Sequence, residues 1–465
     1  MFGIDPDLIV NCTDSASCTT IHAFLYTAIL LAAIITGFAY TTLLERKLIA
    51  SLQHRVGPNR VGPGGLLQPL ADAIKLIFKE DVMPSSADAL VYRLAPVLKA
   101  VPTLAVLAVI PFGPDITVPW FDGLWYRVPL GLADPNVGVL WLLAITSLGT
   151  YGVVLAGWAS NNKYAMLGGL RASAQMISYE LVLGLGIVVP IMLAGSMSLG
   201  DIVNQQKNIW EWYVFQNPLA AGVLMIALLA EVNRSPFDLP EAEQELTAGF
   251  MTEYSGMKFA LFMMAEYLGM IAVSLIAVSL FFGGYHLIPV DSIPIAGPLI
   301  LLGKVVLFLA GMIWVRATLP RIRYDRLMSF GWKVLLPLGL LSVAWTAVSI
   351  TVSDVFDSAE AYGVASGILF LIVIGGGYLI LRRMGMVDED ADELIDDPVI
   401  TGERRGIGNA ALNLVGGLLA VPFILYEYII KSLDSLSTIG DVPELAPEEE
   451  QPSTPSATAE EAGGD

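Results

Sequence analysis

The sequence predicts an all-α integral membrane protein, a polytopic helical bundle of about nine transmembrane helices with its N-terminus outside. Three observations predict it. Mean hydropathy is +0.67 over 465 residues, of which 55% are hydrophobic and only 15% charged, outside the range of an ordinary water-soluble domain. The apolar residues form blocks long enough to cross a bilayer, where about 20 residues of helix are needed because every backbone polar group must be satisfied within the segment. Lysine and arginine gather in alternate connections between those blocks.

In chain order the blocks run 22–44, 91–112, 137–159, 181–199, 218–232, 259–282, 296–315, 332–353 and 362–381. Residues 1–21 carry no Lys or Arg, so they lack the charged region of a signal peptide, and the first block reads as a real span. The fifth block is short and ends in Glu231. Nine crossings define two sets of connections. One set, comprising 45–90, 160–180, 233–258, 316–333 and 382–383, holds 17 Lys and Arg, whereas the other holds only Arg127 and Lys207. Basic residues beside spans are retained in the cytoplasm, so the large loops are expected to face it and residues 1–21 to lie outside.

The net charge of −19 divides unevenly, because residues 384–465 carry 18 acidic against 3 basic residues, a net of −15, and leave −4 for the rest. An end as acidic and as rich in Pro, Ser and Thr as 441–465 cannot bury enough apolar surface to offset chain entropy and reads as a disordered tail. Within the cytoplasmic segment 384–440, residues 410–430 are apolar but interrupted by Gly416, Gly417 and Pro422. They read as an interfacial helix or a tenth span. Cys12 and Cys18, the only cysteines, precede the first block on the oxidising side, where a disulfide and a free pair are both open. Two cysteines cannot hold an iron-sulfur cluster that needs four. No strand followed by a glycine-rich turn and helix is present, so a nucleotide fingerprint is absent. His22, His54 and His286 are scattered without metal-ligand spacing.

Charged residues in or beside a span are costly and mark a substrate or ion path when they occur. The first cytoplasmic loop opens with Glu45-Arg46-Lys47 and continues through Gly57-Pro58-Asn59-Arg60-Val61-Gly62-Pro63, a rigid non-helical connection. After it, Leu66, Leu67, Leu70, Ala73, Ile74, Ile77 and Phe78 recur at helical spacing opposite Gln68, Asp72, Lys75 and Lys79. That pattern is an amphipathic surface helix whose cations meet headgroups.

The second loop runs from Asn233 to Leu246. Asp238 and Glu241 have capping-box spacing with Pro240 in the first turn, so a helix is expected to begin there. Some acid is ordinary at a helix N-terminus. Here Glu231, Asp238, Glu241, Glu243, Glu245, Glu253 and Glu266 face only Arg234 and Lys258 in the same stretch. Carboxylates crowded in a partly dry site have coupled proton affinities, as a proton relay requires. Glu180, Glu231 and Glu266 are the candidates for membrane-buried acids, with a hydrogen-bonded structural acid as the other reading of each. The third loop, with Arg321, Arg323 and Arg326 around Asp325, reads as a positive-inside anchor or as a partner for the acidic loop.

Taken together, Glu45-Arg46-Lys47, Arg55 to Pro63 and Leu67-Gln68-Pro69-Leu70-Ala71-Asp72 resemble the first cytoplasmic loop of one family of membrane proteins, the H subunits of respiratory complex I, NADH:quinone oxidoreductase, called subunit 1 in mitochondria. Residues 234–243 through Glu253-Tyr254-Ser255-Gly256 resemble that family's acidic loop, and 319–325 its last one. The resemblance covers about 22–353. It implies an eight-helix quinone-chamber domain, so that 354–383 would be an extra transmembrane helix. By motif, Arg46, Lys47, Asp72, Phe237 and Asp238 would border the quinone chamber. Glu45, Glu180, Glu231, Glu241, Glu243, Glu245 and Glu253 would form an acidic route toward antiporter-like subunits.

The same resemblance implies that this chain binds no cofactor of its own. NADH, FMN and iron-sulfur clusters would belong to partner subunits, and quinone would be the substrate. Expected partners are the peripheral-arm iron-sulfur and quinone-site subunits, the antiporter-like and small membrane subunits, and the lipid of a bacterial plasma membrane, with no nucleic acid. Two other readings stay open, the equivalent subunit of a related energy-converting hydrogenase or quinone-linked dehydrogenase, and a stand-alone ion transporter. Against the transporter, many of the polar residues lie in one-sided loops rather than in broken midplane helices.

Since the tail lacks periodicity and apolar content, stopping the chain at Gly440 is expected to leave quinone reductase activity within about twofold of normal. Activity per assembled complex in membranes checks it, and loss of assembly would make the tail a docking element.

Overall fold

A computed structural model describes residues 9–119, 124–238, 248–287, 296–357 and 359–383. The 410–430 segment, the acidic tail and the helix expected from Asp238 through Glu241, Glu243 and Glu245 lie outside the described residues. The helices are α1 (Ala16–Leu52), α2 (Gln68–Phe78), α3 (Ala89–Val106), α4 (Gly138–Ala159), α5 (Lys163–Ala194), α6 (Leu199–Asn204), α7 (Tyr213–Gln216), α8 (Pro218–Glu231), α9 (Gly256–Phe281), α10 (Ala296–Thr318), α11 (Tyr324–Phe330), α12 (Leu336–Phe356) and α13 (Ala359–Arg383).

Each of the nine expected blocks falls on a helix. Among the described residues seven stretches are long and apolar enough to cross a membrane: Ala16–Leu52, Ala89–Val109, Gly138–Ala159, Lys163–Ala194, Gly256–Phe281, Ala296–Thr318 and Tyr324–Phe356. The other two blocks correspond to shorter apolar stretches, Pro218–Glu231 and Tyr362–Val373. At 1.5 Å per residue α8 extends only about 21 Å, short of a hydrocarbon layer of roughly 30 Å. Its ends are set locally. The Asn217 side chain accepts from the Ala220 amide ahead of Pro218 in the first turn, and Asn233, just past the last turn, adopts a positive φ of 56°.

Two helices run well past their apolar blocks. α1 continues through Glu45-Arg46-Lys47 to Leu52, and α5 begins at Lys163, so that Glu180 sits in mid-helix rather than at the head of a span. Glu, Arg and Lys are good helix formers, and a backbone hydrogen-bond ladder does not stop where lipid stops. The surface helix α2 buries none of its residues, with Leu70, Ile74, Ile77 and Phe78 exposed along one stripe.

The all-α expectation needs one correction. Strands β1 (Ile9–Asn11), β2 (Gly113–Pro119) and β3 (Trp125–Leu130) form a sheet of order β1-β3-β2, parallel between β1 and β3 and antiparallel between β2 and β3. Ile, Val, Thr, Trp and Tyr in these short segments suit a pleated surface. The sheet joins the chain before α1 to the α3–α4 connection. Cys12 and Cys18 beside it form a disulfide and pack on Tyr126.

Helix contacts rest on small residues and buried polar bonds, as expected where apolar surface alone gives little preference for protein over lipid. A Cβ built on Gly152 of α4 would lie 2.7 Å from the backbone nitrogen of Lys99 and 3.0 Å from the Ala95 carbonyl oxygen of α3; one on Gly157 would lie 2.7 Å from the Ala165 carbonyl oxygen of α5. Asn217 Nδ2 donates to Ser342 O and Thr346 Oγ1 of α12, at 3.0 and 2.8 Å. Lys304 of α10, a charge inside an apolar block, donates to the carbonyls of Phe282, Gly284 and His286 at 2.6–2.9 Å, and its ammonium stands 4.3 Å from the Trp212 ring centroid. α13 docks on α12 through Trp345 Nε1, which donates to Ser366 Oγ at 3.0 Å, and Ser366 Oγ donates to Gln216 O at 2.7 Å.

Gly152→Leu should therefore separate α3 from α4 and destabilise the fold by about 1–3 kcal/mol or more. In contrast, Gly222→Ala, where a Cβ meets nothing within 4 Å, should leave the thermal midpoint of the detergent-solubilised protein unchanged.

Candidate functional site

Three loops meet at one end of the bundle. Gln175 of α5 is fully buried, and its Nε2 donates to Ala230 O at 2.9 Å and Phe237 O at 2.8 Å, which pins the chain as it leaves α8. Tyr179, one turn later, donates its hydroxyl to Leu327 O at 3.1 Å and packs its ring 5.7 Å from that of Phe237. The Ile322 amide donates to Pro236 O at 3.0 Å. Arg321 Nη2 then stands 2.9 Å from Asp238 Oδ2, so the third loop faces the acidic loop instead of serving only as an anchor.

Behind this junction lies a buried charge network. Arg234 is 4% exposed, Glu45 5% and Glu266 8%, so each must be compensated within the protein. Glu45 of α1 accepts from Arg316 Nη1 of α10, and Arg234 Nη1 lies 3.6 Å from the same Glu45 oxygen. Arg234 Nε forms an ion pair with Glu266 Oε1 of α9 at 2.5 Å, and the guanidinium carbon stands 4.5 Å from the Tyr267 ring centroid. Arg234 thereby bridges two carboxylates from two helices.

This network opens on one side to a cavity of about 540 Å³ lined by Glu45, Arg46, Ile49, Arg55, Val56, Gly57, Pro58, Arg234, Met263, Tyr267 and Arg316. A volume of this size suits a small-molecule site. On its other side Glu266 lines a second, smaller cavity of about 80 Å³, together with Lys99, Thr103, Thr146, Glu231 and Asn233. That space is lined mostly by apolar side chains, with these polar groups converging on it, and is large enough for several waters, each of which needs roughly 10–15 Å³. Glu231 Oε2 is buried there without a hydrogen-bond partner among the described residues. Glu180 interacts electrostatically with Glu231 and accepts from Ser147 Oγ of α4.

The residues expected at the chamber are placed as follows. Arg46 lines the larger cavity and pairs with Asp72 at 2.7 Å, and Gln68 donates to the other Asp72 oxygen at 3.2 Å. Lys47 donates to Gly64 O at 2.6 Å, closing the Gly-Pro loop. Phe237 is buried in the core rather than among the cavity residues, and Asp238 is buried against Arg321. Of the expected acids, Glu45 lines the larger cavity and Glu231 the smaller, and Glu180 acts on Glu231 from outside the lining. Glu253 is held elsewhere, accepting from Asn162 Nδ2 at 2.6 Å while its backbone carbonyl accepts from the Tyr92 hydroxyl at 2.6 Å. Beside it, burial first and the neighbouring Tyr92 second push the Tyr254 phenol above its ordinary range. Glu241, Glu243 and Glu245 lie outside the described residues.

Arg316 and Lys99 carry weight that the loop patterns did not assign, and Glu266 proves to be the residue common to the ion network and the smaller cavity. The available signal was simple. Lys99 and Glu266 interrupt otherwise apolar blocks, where a charge needs a reason. Among the described residues no three His, Cys, Asp or Glu side chains form a metal cluster.

The family described as NADH dehydrogenase matches residues 25–347. The chain is 48% identical over 336 residues to the NADH-quinone oxidoreductase H subunit of Thermomicrobium roseum, covering 70% of this chain and 96% of that protein. It is 51% identical over 313 residues to the corresponding protein of Protochlamydia amoebophila, covering 67% and 92%. With one of the H subunits of Geobacter sulfurreducens the identity is 48% over 333 residues, covering 68% and 91%.

The two arginines nearest the larger cavity should behave differently on removal. Arg234→Ala leaves buried carboxylates uncompensated and should destabilise the protein by about 3–5 kcal/mol. Arg46→Ala breaks a pair whose arginine side chain is 52% exposed, and should change stability by less than about 1 kcal/mol. Unfolding of the detergent-solubilised protein in a denaturing-detergent titration measures both.

Proposed function

We propose that the larger cavity receives the headgroup of a quinone and that the charges behind it convert its reduction into proton movement, since this chain belongs to the NADH dehydrogenase family, that of the NADH-quinone oxidoreductase H subunits. As a member it is one subunit of an enzyme complex, and other subunits of that complex are its partners. The plasma membrane of a bacterium is the proposed location. Membership favours this reading over the stand-alone transporter and the hydrogenase component.

The observation that carries the proposal is the position of Glu266, which is ion-paired to Arg234 on the chamber side and shares the inner cavity with Glu231. Quinone reduction takes two electrons and two protons. The electrons come from partner subunits, which carry the NADH, FMN and iron-sulfur chemistry. The contribution of this chain is the environment of the headgroup. Arg46, held over the cavity by Asp72, can donate to a quinone carbonyl oxygen and stabilise the negative charge that develops there.

Reduction then changes the field at Glu45, whose carboxylate faces both Arg316 and Arg234. If Glu45 takes a proton, Arg234 loses one of its two counter-charges and bears more strongly on Glu266. Glu266, then favoured in its ionised form, passes on a proton that reaches it through the inner cavity toward Glu231 and Glu180. The acidic loop with Glu241, Glu243, Glu245 and, farther on, Glu253 completes the proposed route; Lys47, Phe237 and Asp238 support the chamber wall.

Glu231→Gln keeps volume and most hydrogen-bonding capacity but cannot take up and release a proton. It should assemble normally while quinone reduction and proton translocation fall together by about tenfold or more, measured as NADH-driven quinone reduction and pH-gradient formation in membrane vesicles. Normal pumping at a normal reduction rate would return Glu231 to a structural role.

A further inference from the structure

Among the described residues Lys99 is the charged group of the inner cavity for which the proposed proton route has no use. It stands on α3 and shares the cavity of about 80 Å³ with Glu231 from α8 and Glu266 from α9, and it interacts electrostatically with both. Glycines of α4 make room for it. A Cβ on Gly149 would lie 3.7 Å from the Lys99 Nζ, and one on Gly152 would lie 2.9 Å from its Cβ. The facing element α4 contributes Thr146 to the cavity, while Glu180 of α5, outside the lining, interacts electrostatically with Glu231.

From the larger cavity inward, Glu45, Glu266 and Glu231 alternate with Arg316, Arg234 and Lys99, and Glu180 acts on Glu231 from α5. Arg316 and Arg234 serve Glu45 and Glu266. Lys99 is the cation of this set that answers the charge of Glu231, whose Oε2 has no hydrogen-bond partner among the described residues.

We propose that Lys99 is a positioning residue of the proton route, its ammonium set in the same cavity as Glu231 to favour the ionised form of that acid, which can then accept a proton arriving from Glu266. The inference rests on the relay reading of Glu231. Without the ammonium, Glu231 would hold its proton more tightly, because a nearby positive charge favours the ionised form of a carboxyl group and its removal reverses the effect.

The test follows the protonated-carboxyl infrared signal of Glu231 in the purified complex against pH, the signal being identified by its loss on Glu231→Gln in the same background. In Lys99→Met it should persist to a pH about one unit higher than in the unaltered protein, whereas Lys99→Arg should titrate as the unaltered protein does. An equal or lower pH in Lys99→Met, or no such signal, overturns the proposal. If Lys99→Met alone does not assemble, the double variant Lys99→Met/Glu231→Gln should, since it restores the charge balance; failure of the double variant where Glu231→Gln assembles also overturns it. Pumping by Glu231→Gln judges the relay reading separately, because normal pumping there would remove the relay while the infrared titration still reports what Lys99 does to Glu231.

Discussion

Arg234 carries a permanent positive charge into a site where only 4% of its surface is exposed, and four chain segments are arranged around that fact. A guanidinium does not escape burial by losing its proton, so the protein has to bring carboxylates and a ring face to it. Glu45 comes from α1, Glu266 and Tyr267 from α9, and Arg316 from α10 holds Glu45 in turn. Because an unpaired buried charge is so unfavourable, this one group sets the relation of helices distant in sequence. It also stands between the larger cavity and the smaller one, since its two counter-ions, Glu45 and Glu266, line one each.

The short helix α8 is the second determinant. A full-length helix would have carried its acidic end and the following loop beyond the bundle, whereas fourteen residues end Glu231 beside α3 and α9. Gln175 then donates to the carbonyls of Ala230, in the last turn, and Phe237, in the loop beyond it. A break in a membrane helix is tolerable only where protein supplies such partners. The same residue thus stabilises the break and fixes the acidic loop above it.

Close helix contacts give the cavities their shape. Glycines at 149 and 152 let α4 approach α3 while leaving a passage for the Lys99 side chain, and Gly157 does the same between α4 and α5 without any charge between them. Small residues therefore do two jobs here, bringing backbones together and leaving space for a charged side chain where a larger one would have filled it.

The positions of the apolar blocks, the loop chemistry and the family motifs were legible in the sequence, because each depends on local composition or on residues adjacent in the chain. Blocks 22–44 and 259–282 announced α1 and α9, and the Leu70, Ile74, Ile77 stripe announced α2. The small sheet and the full lengths of α1 and α5 were not, since strand pairing joins residues 9–11 to 125–127 and a helix ladder is indifferent to where lipid ends. Glu45, Glu180 and Glu231 could be picked out as acids beside spans. Their partners could not, because Glu45 meets Arg316 across 271 positions and Lys99 shares a cavity with Glu231 only once the bundle is assembled. Local pattern decides which residues enter the membrane, while charge compensation in a dry interior is a long-range demand that only the tertiary structure can meet.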